Sequence, residues 1–192
     1  MQTDTVQRAP GYVSPTGETV LIGCGNLLRG DDAAGPLAVR YLWERWGEKV
    51  PPGIRVVDGG TAGMDVAFQM RGARRVILVD ACLTGEAPGT LYKVPGDELE
   101  ELPPSDGINL HAFRWDHALA FARWLLKDDY PTDITVWLVE AAQTDFGADL
   151  SPAVDRSVRD LVDRLAVELA EDEPADDEPA AIPAASAPSD DA

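Results

Sequence analysis

Thr19-Val20-Leu21-Ile22-Gly23-Cys24-Gly25-Asn26-Leu27-Leu28-Arg29-Gly30-Asp31-Asp32-Ala33-Ala34-Gly35 is the stretch around which this chain is organised. It opens with a β-branched and apolar run, which predicts a buried strand. Gly23, Gly25 and Gly30 then supply a loop that can turn sharply and bring backbone close to a ligand. Asp31 and Asp32 follow, and an amphipathic helix is predicted just beyond them. Strand, glycine loop and helix ordinarily suggest a phosphate cradle, because a helix N-terminus favours anions. Here the protein supplies its own anions, so a phosphate would meet like charge and a cation would be attracted. The stretch reads as a cation site on a nucleotide-binding type of scaffold.

Downstream, the apolar periods alternate. Ala34, Leu37, Ala38, Tyr41, Leu42 and Trp46 recur at helical spacing, and Pro36 is acceptable only in the first turn, so the helix begins at or just after Asp32. Residues 54–58 predict a second strand closed by Gly59-Gly60-Thr61, and residues 63–70 a helix capped by Thr61 or a neighbour. Residues 75–80 predict the third and most deeply buried strand, and residues 90–94 a fourth. The link between those two leaves no room for a crossover helix, so the fourth strand is antiparallel or at an edge. From about 113 to 127, Phe113, His117, Ala120, Phe121, Trp124 and Leu125 fall on one helical face; residues 134–140 form a fifth strand. The last helix has Ser151 as N-cap, Pro152 at its first position, and Val154, Val158, Leu161, Val162, Leu165 and Leu169 on one stripe. Strands and helices alternating with short loops predict an α/β fold: three layers, with a mostly parallel five-stranded sheet between helices.

The length of 192 residues with 45% hydrophobic residues fits one domain with a real core. The expected boundaries are a loose leader over 1–17, a folded domain over 18–170 and a disordered acidic Ala/Pro-rich tail over 171–192. The tail carries eight acids and no Lys or Arg, so removing it takes the net charge from −18 to −10. A body that acidic disfavours nucleic acid and anionic membranes and suits a metal ion or a basic partner. No apolar run is long enough for a transmembrane helix, and the N-terminus lacks the pattern of a signal peptide, which predicts a cytoplasmic protein. Cys24 and Cys82 are too few for a disulfide framework and read as reduced packing thiols; a metal site built on them lacks CxxC spacing.

Ligands of open α/β sheets collect outside the C-terminal ends of the strands. Asp31 and Asp32 follow the first strand, while Asp58, Asp80 and Glu140 end the second, third and fifth. One strand-end aspartate is an ordinary turn residue, but several on one edge repel one another, and a divalent cation would relieve that repulsion. Of the two histidines, His117 belongs to the apolar helical stripe and reads as a packing residue. His111, in the loop before that helix, is the better ligand candidate, although an N-terminal capping role would also explain it. No serine or cysteine nucleophile with a paired histidine is evident.

The run from Gly23 to Pro36 closely resembles the opening motif of the hydrogenase maturation endopeptidases, which trim the C-terminus of a nickel-iron hydrogenase large-subunit precursor once nickel is installed. Asp58-Gly59-Gly60-Thr61-Ala62-Gly63, Val76-Ile77-Leu78-Val79-Asp80-Ala81 and Pro88-Gly89-Thr90 look like the family's following signatures, so the similarity runs from about 19 to 169. The resemblance implies a twisted five-stranded sheet and a metal-dependent, aspartyl-type endopeptidase. It also implies that Asp32, Asp80 and His111 are both catalytic residues and ligands of a nickel ion delivered with the substrate. Asp31, Asp58 or Glu140 would then serve as base or supporting residues. After the last strand this chain reads Val139-Glu140-Ala141-Ala142-Gln143, where the family commonly has a Gly-x-Gln-Pro type segment. The rival readings are a non-catalytic metal chaperone or assembly scaffold using the same ligands, and a nucleotide-binding module on the glycine loop. The glycine spacing and the acid pair oppose the last of these.

Overall fold

The computed structural model describes residues 17–100 and 115–172. Five strands, β1 (Glu18–Cys24), β2 (Ile54–Gly60), β3 (Ala73–Cys82), β4 (Leu91–Pro95) and β5 (Asp133–Glu140), form one sheet in the order β2-β1-β3-β5-β4. β2, β1, β3 and β5 run parallel, and β4 pairs antiparallel with β5 at the edge. Residues 83–90 alone join β3 to β4, too few for a crossover helix, so the chain turns back on itself as predicted. From β1 the chain moves outward to β2 and then returns to β3 on the other side. Strand order therefore reverses between β1 and β3, and a crevice opens at their C-terminal ends.

Five helices cover the sheet: α1 (Ala34–Trp46), α2 (Gly63–Gln69), the short α3 (Gly96–Glu100), α4 (Trp115–Leu126) and α5 (Pro152–Ala170). Alternate strand residues point to opposite faces. Val20, Ile22, Val76 and Leu78 pack with α2 and α4, while Leu21, Ile77 and Val79 pack with α1 and α5. The α5 stripe is buried along its whole predicted length. Leu161, Leu165 and Leu169 are fully buried, each contributing about 1.5–3 kcal/mol.

Two local expectations are refined. On α4 the buried residues are Ala118, Leu119, Ala122 and Leu126; of the predicted stripe Phe121 and Leu125 pack against the core, whereas Ala120 is exposed and Trp124 is 70% exposed. Apolar residues surround most of this helix, so periodicity alone does not single out a face; two alanines let α4 lie close to its neighbours. The N-cap of α2 is Ala62, the neighbour of Thr61, and it makes no side-chain hydrogen bond. Phe113, from the predicted α4 stripe, lies outside the described residues.

The strand-start edge is tied by ion pairs. Arg55 meets Glu18 at 3.2 Å, Arg74 meets Asp172 at 2.7 Å, and Arg75 pairs with Glu168 and, at 3.5 Å, with Asp133. Asp172 also accepts from the Thr19 hydroxyl, so the tie to the sheet reaches two residues past the expected domain boundary at 170. Residues 1–16 of the expected leader and 173–192 of the expected tail lie outside the described residues. No described helix is long and apolar enough to cross a membrane.

Candidate active site

The glycines of the opening motif let backbone pack on backbone. A Cβ on Gly23 would lie 2.2 Å from the Gly35 carbonyl oxygen, and one on Gly35 would lie 2.2 Å from that of Cys24 and 2.4 Å from that of Val79. The first turn of α1 therefore rests directly on β1 and β3. Gly25 has φ +129°, and a Cβ there would fall 1.9 Å from the Asp32 carbonyl oxygen. Within this loop the Asn26 N–H donates to the Asp32 carbonyl at 3.1 Å, and the Leu28 N–H to the Asn26 side chain at 2.9 Å. The close approach that these glycines permit is made by the chain's own backbone.

The adjacent acids Asp31 and Asp32 sit in a 3-10 turn spanning Gly30–Ala33 and have different surroundings. Asp31 is fully buried, and its carboxylate accepts from the backbone N–H groups of Ala142 (2.8 Å), Gln143 (3.3 Å) and Ser151 (2.7 Å). Asp32 is half-buried and lines a cavity. Glu140, 1% exposed, accepts from the N–H groups of Thr84 and Gly85 at 2.8 Å each, from the Thr84 hydroxyl and from the Cys82 thiol. Burial alone would push the Glu140 carboxyl up, but the Thr84 hydroxyl and the two N–H groups outweigh it and hold its pKa below the usual value. Asp58 is exposed and accepts from the Gly60 N–H at 3.0 Å. Of the acids expected as base or supporting residues, Asp31 and Glu140 hold loops beside the cavity, Asp58 holds the Gly60 turn, and none of the three lines the cavity itself.

That cavity, about 400 Å³, opens at the C-terminal ends of β1 and β3. Asp32 and Asp80 both line it, Thr61 and Thr144 add hydroxyls, and Val66 and Leu83 add apolar wall. Asp80 is 7% exposed, and one of its oxygens accepts from the Ala81 N–H at 2.7 Å. Two of the three predicted site residues are thus brought into one cleft. The third, His111, lies outside the described residues; His117 falls in the first turn of α4. Among the described residues no three His, Cys, Asp or Glu side chains come together as a metal cage. Carboxylate oxygens from Asp32 and Asp80 suit a divalent cation as part of a larger ligand set.

Cys24 and Cys82 also border the cavity and are free thiols. Burial, with Asp80 and Asp58 adding like charge, raises the Cys24 pKa well above its ordinary value. Burial and the hydrogen bond to Glu140 push Cys82 up to about 12. Both stay protonated at neutral pH, which makes them weak nucleophiles. The sequence reading missed Thr144 and Leu83 and did not place Thr61 in the cavity. No sequence signal marked Thr144, because the 141–151 loop meets this cavity only through long-range folding.

The hydrogenase maturation protease family model matches residues 37–168, a span that includes Asp80 and begins five residues after Asp32. Hydrogenase expression/formation protein HoxM of Azotobacter vinelandii is 32% identical over 162 residues, covering 80% of this chain and 76% of that one. Hydrogenase expression/formation protein HupD of Thiocapsa roseopersicina is 29% identical over 155 residues, covering 80% of this chain and 68% of that one. Among solved structures, the hydrogenase maturating endopeptidase HybD from E. coli has the same fold at 25% identity. Its TM-score is 0.65, and the match covers 79% of this chain and 91% of that one.

Proposed function

Because the chain belongs to the hydrogenase maturation protease family, we propose that it is an endopeptidase that removes the C-terminal extension of a nickel-iron hydrogenase large-subunit precursor, acting on the nickel-loaded form. The observation that carries this reading is the shared cavity of Asp32 and Asp80 at the strand-order reversal. In this reading the nickel is part of the substrate, and Asp32, Asp80 and His111 are the residues that bind it. Two carboxylates and an imidazole leave coordination positions open for a substrate group or water. A nickel ion held there would polarise the scissile carbonyl; as the C–N bond breaks, the attacking water would leave its hydroxyl on the carbonyl carbon and give its proton to the departing amine.

The test is to incubate the purified chain with nickel-loaded and nickel-free precursor and to measure the mass of the large subunit. Loss of the extension from the nickel-loaded form alone is the expected result. Equal trimming of both forms would overturn nickel recognition. Binding of the precursor without any change in its length would make the protein a chaperone or scaffold.

A further inference from the structure

The loops around the cavity hold bulky apolar side chains out in solvent: Leu27 is 45% exposed, Leu28 61%, Leu83 66% and Phe146 74%. A loop free to rearrange would tuck such groups inward, since each buried large apolar side chain gains about 1.5–3 kcal/mol. These loops are fixed. The Asp31 N–H donates to the Gln143 carbonyl at 3.0 Å, the Gly147 N–H donates to the Leu28 carbonyl at 2.8 Å, and the Asp31 carboxylate binds three N–H groups of the 141–151 segment. The loops bearing Leu27, Leu28 and Phe146 are therefore sewn into one unit. Leu83 precedes Thr84 and Gly85, both gripped by the buried carboxylate of Glu140. Two buried acids thus hold an apolar rim open beside the cavity that Leu83 and Thr144 line.

The same loops are strongly acidic. Residues 25–33, 58–65, 81–90 and 141–151 carry Asp31, Asp32, Asp58, Asp65, Glu86, Asp145 and Asp149, with Arg29 their only cation. We propose that Leu27, Leu28, Leu83 and Phe146 form a preset collar that grips an extended segment of the precursor beside its cleavage point. Apolar side chains of that segment rest on the collar, and basic ones face the surrounding carboxylates. The proposal rests on the endopeptidase reading above and adds the part of the molecule that captures the substrate. Its occupant follows from charge complementarity and from the collar's continuity with the cavity.

The experiment uses the full chain with Leu27→Ser, Leu28→Ser and Phe146→Ser combined, all outside the cavity lining, and Phe146→Leu as the conservative control. Trimming kinetics are measured with nickel-loaded precursor, and precursor binding is titrated in an Asp80→Asn background. The triple variant should raise KM and Kd at least about tenfold, leave kcat within about twofold and melt with the parent, while Phe146→Leu binds within about twofold. KM and Kd unchanged in a folded triple variant would overturn the collar while leaving the endopeptidase reading intact. Collar-dependent binding by a parent that never trims would retain the collar and sink the endopeptidase reading. Collar changes that abolish self-association in sedimentation but leave precursor binding unchanged would make the rim a contact between copies of this chain and overturn the proposal.

Discussion

At the strand starts, Asp133, Glu168 and Asp172 meet Arg74 and Arg75, whereas at the strand ends Asp31 and Glu140 meet backbone N–H groups and Asp32 and Asp80 line a cavity. The first edge neutralises its acids with opposite charge and in doing so fastens the end of α5 to β1 and β3. At the second edge, N–H dipoles stabilise the two structural carboxylates without adding a compensating formal charge. Negative charge is therefore concentrated where the sheet opens. Carboxylates gathered at close quarters repel one another and attract cations, which is why the strand-end edge is read as the functional one.

The largest expected effect comes from breaking the N–H clamp. Asp31→Ala leaves the N–H groups of Ala142, Gln143 and Ser151 without their acceptor and should cost about 3 kcal/mol, read from denaturant unfolding. A loss under about 1 kcal/mol would show that the clamp is not holding the two loops together. Gly25→Ala should cost about 2 kcal/mol, because a Cβ meets the Asp32 carbonyl and the backbone is at positive φ. Unchanged stability there would mean that the loop has room the geometry denies.

At the strand-start edge the effect is smaller and depends on pH. A chain ending at Ala170 should be about 1 kcal/mol less stable at pH 7 than one ending at Asp172, since it loses the partly exposed pairs with Arg74 and Arg75 and the Thr19 hydroxyl's hydrogen bond. Burial alone would raise the Asp172 pKa, but the Thr19 hydroxyl and Arg74 outweigh it and hold it below the usual value. A folded pKa below the unfolded one means stability that is present above the unfolded pKa, about 3.9, and lost as pH falls through the folded value. The gap between the two chains should stay constant near neutrality and close below about pH 4. A gap that persists in acid would assign it to packing instead of charge.

The sequence made the parallel order and the α5 stripe legible because each rests on a local period: continuous apolar runs at β1 and β3, and helical spacing from Val154 to Leu169. Strand-end position marked Asp32 and Asp80 only among five acids, and the family resemblance singled out those two. Local pattern alone could not separate Asp32 from Asp31. The distinction comes from residues 142–151, more than a hundred positions away, whose N–H groups claim one of two adjacent carboxylates. Which task Glu140 has was hidden for the same reason, because Thr84 and Gly85 bind it from another loop. The α4 face was legible only in part: Phe121 and Leu125 reach the core, and apolar residues on most sides leave the rest to packing.

The most direct test replaces each cavity carboxylate separately, Asp32→Asn and Asp80→Asn, and measures both melting and trimming of nickel-loaded precursor. Removing one of two neighbouring negative charges should leave each variant within about 1 kcal/mol of the parent or above it, while a neutral amide is a poorer nickel ligand. The account predicts folded proteins that leave the precursor at full length. Trimming by either variant at the parent rate would contradict it.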